Sequence, residues 1–249
     1  MNSKTTGHIS QSPVEGCLGQ VFIAAVLMAA SAGFLAMAAN LPPQSNSQSI
    51  LVADKGKFRV LVNGQEMGKE DFEISRNGSN WTAKGTSEIQ SPQGATHLTG
   101  TLDLRPDGTP VKYEWSMQGA KKASASIAFS GPTASIELRL DGAKPFTQQF
   151  TFNSPKVAVL DNNLYYQYAI LARLYDWTKP EPQTFSVLVP QEMTPGNITV
   201  ASLGKQDVNG KQLDELQVKT EDIEVDLYVD KGRLLRIAVP SSKAEIVRE

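Results

Sequence analysis

The sequence predicts a mainly β protein: a curved antiparallel meander with one helix packed on its concave face, preceded by an N-terminal apolar export or anchor helix. Three observations carry this. Runs such as FRVLV (58–62), TGTLDLR (99–105), ASIELRL (134–140) and DIEVDLYV (222–229) alternate apolar with polar residues, the period of a half-buried strand. They are punctuated by Asn63-Gly64, Asn77-Gly78, Asp107-Gly108, Asp141-Gly142, Asn209-Gly210 and Lys231-Gly232, residues suited to tight hairpin turns. One stretch alone breaks the pattern, LDNNLYYQYAILARLYDW (160–177), and it carries four of the chain's six tyrosines.

Along the chain, residues 18–39 read LGQVFIAAVLMAASAGFLAMAA without a charge. About 20 apolar residues suffice to span a bilayer as a helix. Ala36-Met37-Ala38 also supplies the small residues of a signal-peptidase site. Residues 1–40 are therefore a signal peptide or a membrane anchor, and both place the rest outside the cytoplasm, periplasmic or secreted. Val14-Glu15-Gly16-Cys17 ends like a lipobox, but its cysteine precedes the apolar run instead of closing it. Residues 41–55 begin as a Pro/Gln/Ser/Asn-rich tether, and residues 56–249 form a single β-rich domain.

The last hairpin can be read to register. With Asp230-Lys231-Gly232 as a three-residue loop, Leu227 faces Leu235, Val225 faces Ile237, and Asp226 falls opposite Arg236. A two-residue Lys231-Gly232 loop would set Leu227 against Arg236 and mix the faces. Asp222, Glu224 and Asp226 then form a flat row on a wet face, not the curled ligand set of a calcium loop. Glu70-Asp71 and Asp214-Glu215 read as equally ordinary surface acids.

The helix is predicted over about 161–177, with Asp161, Asn162 and Asn163 as N-cap residues and Lys179-Pro180 as the stop. Leu164, Tyr168, Leu171 and Tyr175 make one apolar stripe, which Tyr165, Ala169 and Ala172 widen. Gln167, Arg173 and Asp176 are the polar remainder. So wide an apolar surface has to be covered on most sides. It serves either as the plug that gives a curved sheet its core, or as one wall of an aromatic-lined pocket. Tyr165, Tyr168, Leu171 and Tyr175 are the residues that would hold an apolar ligand in the second case.

Composition narrows the chemistry. A net charge of −2 argues against nucleic-acid binding. Cys17 is the only cysteine, and it lies before the domain, as does one of the two histidines, His8. His97 is left as the single histidine for catalysis, with no Gly-X-Ser-X-Gly elbow to pair with it. No P-loop or Rossmann glycine pattern occurs. The expectation is a non-enzymatic protein with no catalytic residues, no metal and no cofactor. Its expected partners are a lipid or other apolar ligand, and the membrane itself if the N-terminal segment is retained. The sequence identifies no protein partner.

The segments FRVLVNGQEMGKEDFEI (58–74), LDNNLYYQYAILARLYDW and VDLYVDKGRLLRIAVP resemble a group of uncharacterised bacterial exported β-rich domains. More distantly, the predicted architecture is similar to that of Lol-type lipoprotein carriers. That resemblance implies a half-open antiparallel barrel wrapped around a helix over an apolar cavity, with lipid binding in envelope biogenesis. It brings no catalytic residues. The alternative expectation is an anchored or secreted structural or protein-interaction domain with a fully filled core.

Overall fold

The structure, a computed structural model, describes residues 49–249 apart from 93 and 221. The apolar run 18–39 and Cys17 lie outside the described residues. Fifteen strands form one sheet that does not close on itself. Eight come first: β1 (Asp54–Val62), β2 (Gln65–Asn77), β3 (Asn80–Ser91), β4 (Gly94–Leu104), β5 (Pro110–Gln118), β6 (Ala123–Ser130), β7 (Thr133–Leu140) and β8 (Phe146–Thr151). A short strand β9 (Val157–Val159) and the helix α1 (Tyr166–Leu174) follow. The chain then returns through β10 (Gln183–Val189), β11 (Thr194–Val208), β12 (Lys211–Lys219), β13 (Glu224–Asp230), β14 (Arg233–Val239) and β15 (Ala244–Arg248).

The strands run β8 to β1, then β15 down to β9, so two meanders meet where the first strand pairs with the last. Every neighbouring pair is antiparallel except β9 with β10. The two edge strands, β8 and β9, are consecutive in the chain and joined only by residues 152–156.

The predicted alternation sorts the sheet into a dry and a wet face. Phe58, Phe72, Ile74, Leu102, Tyr113 and Ile127 are inward and buried, and their neighbours in sequence are largely exposed. At Asn63-Gly64 and Asn209-Gly210 both residues have positive φ and the flanking strands pair directly, as in two-residue hairpins. β1 begins at Asp54, within the stretch read as a tether. Just before it, Leu51 is buried and Ile50 N–H donates to Pro106 C=O at 3.0 Å.

The last hairpin differs from its expected register. Lys231-Gly232 is a two-residue turn, with Asp230 opposite Arg233 and Val229 opposite Leu234. The pairing then shifts, so that Tyr228 faces Arg236, Leu227 faces Ile237 and Asp226 faces Ala238. Leu235 is the extra residue of a β-bulge. The bulge returns the apolar side chains to one face, which removes the objection to a two-residue loop.

The helix is also shorter than expected, and it starts later. Asn163 takes a left-handed φ of 63°, which stops any helix from running through it from Asp161. Tyr165 holds the N-cap position without a side-chain cap of its own. At the other end Tyr175 is extended, and its N–H closes the last turn on Leu171 C=O at 3.2 Å. The helix lies against β3, β9, β13 and β14. Tyr166, Gln167, Ala169, Ile170, Leu171 and Ala172 are all buried, so its surface is covered on most sides.

Candidate functional site

The best-defined constellation in the domain is the seat that receives the N-terminus of the helix. The first N–H groups of any helix lack intrahelical acceptors and need partners from elsewhere. Here they come from β2. Glu70 Oε2 accepts from Tyr165 N–H at 2.9 Å and from Tyr166 N–H at 3.2 Å. Glu70 is fully buried. Its pKa is pushed up to about 8 by that burial, against the opposing pull of the two N–H donors. The reading of Glu70 as a surface acid is thus corrected: it shares the inward phase of Phe72 and Ile74.

Beside it the sheet has a slot. Gly85 on β3 and Gly100 on β4 are cross-strand partners. A Cβ on Gly85 would run into the ring of Tyr166. A Cβ on Gly100 would lie 3.0 Å from both the Tyr166 and Tyr113 hydroxyls. Two adjacent residues without side chains therefore create the depression that Tyr166 fills, and Tyr166 is fully buried in it. Burial raises the pKa of both phenols, Tyr113 and Tyr166, well above the ordinary value.

A second buried carboxyl completes the seat. Asp161 is not a helix cap. Its Oδ1 accepts from Gln191 N–H at 2.8 Å, and its own N–H donates to Gln167 Oε1. Burial pushes its pKa up to about 7. Gln167, expected on the polar side of the helix, is buried because it carries this bond. Five polar atoms in or beside the seat have no hydrogen-bond partner of good geometry: Ser87 Oγ, Tyr113 Oη, Asp161 Oδ2, Tyr166 Oη and Gln167 Nε2.

The four residues expected to hold an apolar ligand are dispersed around this seat. Leu171 and Tyr175 are buried in the core, whereas Tyr165 and Tyr168 are half-buried and packed against it. Tyr165 Oη lies 3.1 Å from Asn163 Oδ1, and burial pushes the Tyr168 phenol up to about 12. Tyr175 stacks edge-on against Trp177 with ring centroids 5.2 Å apart. Five grooves of about 280 to 640 Å³ open along the strands, and none of the five is lined by any of these four side chains.

His97 is exposed on β4, where its strand neighbours are Glu88 and Gln118. Asp226 is nearly buried, and its contact is Gln217 Nε2 at 3.4 Å, not Arg236. Glu215 is buried too, on the outward side near Tyr228. Among the described residues no three His, Cys, Asp or Glu side chains converge as a metal site. Among the described residues the geometry offers a seat for the helix N-terminus and two buried acids, Glu70 and Asp161, whose pKa values burial raises. No protein-family model matches the chain, and no curated protein sequence matches it.

Proposed function

We propose that this chain is a non-catalytic extracytoplasmic interaction domain: a half-open barrel plugged by its own helix, which takes up an extended segment of a partner along the edge strand β8. The observation that carries the proposal is the contrast between its two sheet edges. All three residues of β9 are buried. β8 reads FTQQFT, has no charged residue, and is exposed at every position but one. Natural sheets usually blunt such an edge with charge, proline or a covering segment, because its free N–H and C=O groups invite another strand. Here only Lys144-Pro145, just outside the strand, does so. Leu140 and Phe146, each about half exposed, add apolar area at the same end of the β7–β8 pair. Strand addition uses such edges for affinity and alternate side chains for specificity.

Chain length supports the curvature. Laid flat, fifteen strands would span about 65 Å at roughly 4.8 Å per spacing. The link from Thr151 to Val157 can reach only about 20 Å at roughly 3.5 Å per residue. That short link supports a curled sheet, and a curled sheet needs something to fill its concave face. The buried face of α1 supports the helix as that filling. Export rests on the apolar segment 18–39 of the sequence.

The test is site-specific photocrosslinking in the full-length chain, with the probe at Gln148 on β8 and a control probe at Glu73 on the outward face of β2. Adducts confined to Gln148, mapping to one contiguous extended segment of the partner and abolished by Thr147→Lys with Gln149→Lys, are expected. Equal labelling at both positions would sink the proposal.

A second reading, a lipid or other apolar ligand held between helix and sheet, is favoured by the half-buried Tyr165 and Tyr168 and by the poor hydrogen-bond geometry among the polar side chains of the seat. A plug that a guest displaces would leave such imperfections.

A further inference from the structure

At the opposite end of the helix from Glu70, three guanidinium groups gather around one carboxylate. Asp54, at the start of β1, is almost wholly buried. Arg248, at the end of β15, grips it through two bonds, Nη1 to Oδ2 at 3.0 Å and Nη2 to Oδ1 at 2.7 Å. Gly56 makes this possible, since a Cβ there would lie 2.7 Å from Arg248 Nη2. Arg248 also lies over the Phe72 ring, 5.0 Å from its centroid, and donates to Lys55 C=O at 2.7 Å. That pair is complete.

The other two arginines are not. Arg233, at the start of β14, reaches Asp54 only at 3.6 Å, with its side chain more than half exposed. Arg173, in the last turn of α1, makes no hydrogen bond or ion pair among the described residues, and its Nε is buried without an acceptor. The charges acting on it are those of Asp54, Arg233 and Arg248. Its Nη1 sits beside the Lys231-Gly232 turn, 3.5 Å from where a Gly232 Cβ would be. The negative end of the helix dipole offsets about half a charge. One carboxylate and about half a charge face three cations, and the half-buried Arg173, whose Nε has no acceptor, carries the cost of that imbalance.

We propose that Arg173 and Arg233, set beside the completed Arg248–Asp54 pair, form an oxyanion site at this rim of the sheet, for the phosphate or carboxylate group of a free anion or of an amphiphile's head. Guanidinium forks match the planar and tetrahedral oxygens of both groups. Access is open. Arg233 and Arg248 also line a groove of about 640 Å³ with Lys211 and Arg236, whose carboxylates Glu245 and Glu249 are paired to Arg236 and Arg59. The site stands independently of the edge-strand proposal, because it involves none of the residues of β8.

The test is calorimetric titration of the full-length chain in dodecyl maltoside at constant ionic strength, with inorganic phosphate and with dodecyl phosphate. The detergent itself is the uncharged control of equal tail length. Saturable one-to-one binding of either probe is expected, weakened at least tenfold in Arg173→Gln and in the more exposed Arg233→Gln. The ligand-free melting temperature of Arg173→Gln should be unchanged or higher, because an unpaired charge has been removed. Similar affinity for both probes assigns the site to free anions. Much tighter binding of dodecyl phosphate assigns it to an amphiphile and lends support to the apolar-ligand reading. Binding by neither probe, equal binding in the variants, or a lowered ligand-free melting temperature in Arg173→Gln would overturn the proposal.

Discussion

Replacing Glu70 with Gln tests the helix seat through its pH dependence. Burial raises the Glu70 pKa from an ordinary 4.5 to about 8, so the folded state holds this proton more tightly than the unfolded chain does. Its contribution to stability is complete below pH 4.5 and is lost progressively as the pH rises to about 8. At 1.36 kcal/mol per unit, the full shift corresponds to about 5 kcal/mol at most, and relaxation of the seat reduces it. Asp161, raised from 3.8 to about 7, acts in the same direction over a slightly lower window. The protein should therefore be most stable on the acid side and weaken markedly between pH 5 and 8.5. Glutamine at position 70 keeps an oxygen for the Tyr165 and Tyr166 N–H groups and cannot ionise. Its new N–H₂ lies on the strand position opposite Ser87, whose buried Oγ has no partner. Urea unfolding of the full-length chain across this pH range reads the effect directly. Glu70→Gln should lie within about 1 kcal/mol of the parent at pH 5 and exceed it by a few kcal/mol at pH 8.5. A parent whose stability is flat or rises over that range would refute the reasoning. So would a variant that loses as much at pH 8.5 as at pH 5.

Gly100→Ala should cost about 1–3 kcal/mol by overpacking, and combination with Tyr166→Phe should recover part of it, as a double-mutant cycle by denaturant unfolding will measure. Leu171→Ala removes a fully buried side chain and should destabilise by about 2–5 kcal/mol; a cost well under 1 kcal/mol in the same assay would mean Leu171 faces open space. Asp54→Asn leaves the nearly buried Arg248 without its charged partner and should cost about 3–5 kcal/mol. Adding Arg173→Gln to that variant should restore part of the loss, seen as a partial recovery in melting temperature.

Much of this was legible because strands of period two announce their own faces. Alternation located the strands, the Asn-Gly pairs located the turns, and the tyrosine-rich stretch located the helix. What escaped were features that depend on the partner across space. Asp161 reads as an N-cap on local grounds, yet the cap comes from Glu70, 95 residues earlier than the Tyr165 N–H it accepts. A signal existed: Glu70 keeps step with Phe72 and Ile74, and a carboxylate in the inward phase needs a buried donor. Asp54 keeps step with Phe58 and Val60 in the same way, and its partner Arg248 lies at the far end of the chain. Gly85 and Gly100 likewise fall on inward positions, where a missing side chain means that something else fills the space. The bulge at Leu235 escaped because a two-residue loop with a bulge and a three-residue loop both keep the apolar side chains together.

On this reading the domain's own helix fills the concave face, leaving β8 to engage partners. Native mass spectrometry of the full-length chain, exported and gently purified from a lipid-containing compartment, tests it most directly. The expected result is the mass of the polypeptide alone, under conditions that preserve lipid on a known lipid-binding control. A lipid-sized adduct that is lost on organic extraction and weakened by Tyr168→Ala would contradict it, and would put a guest between helix and sheet.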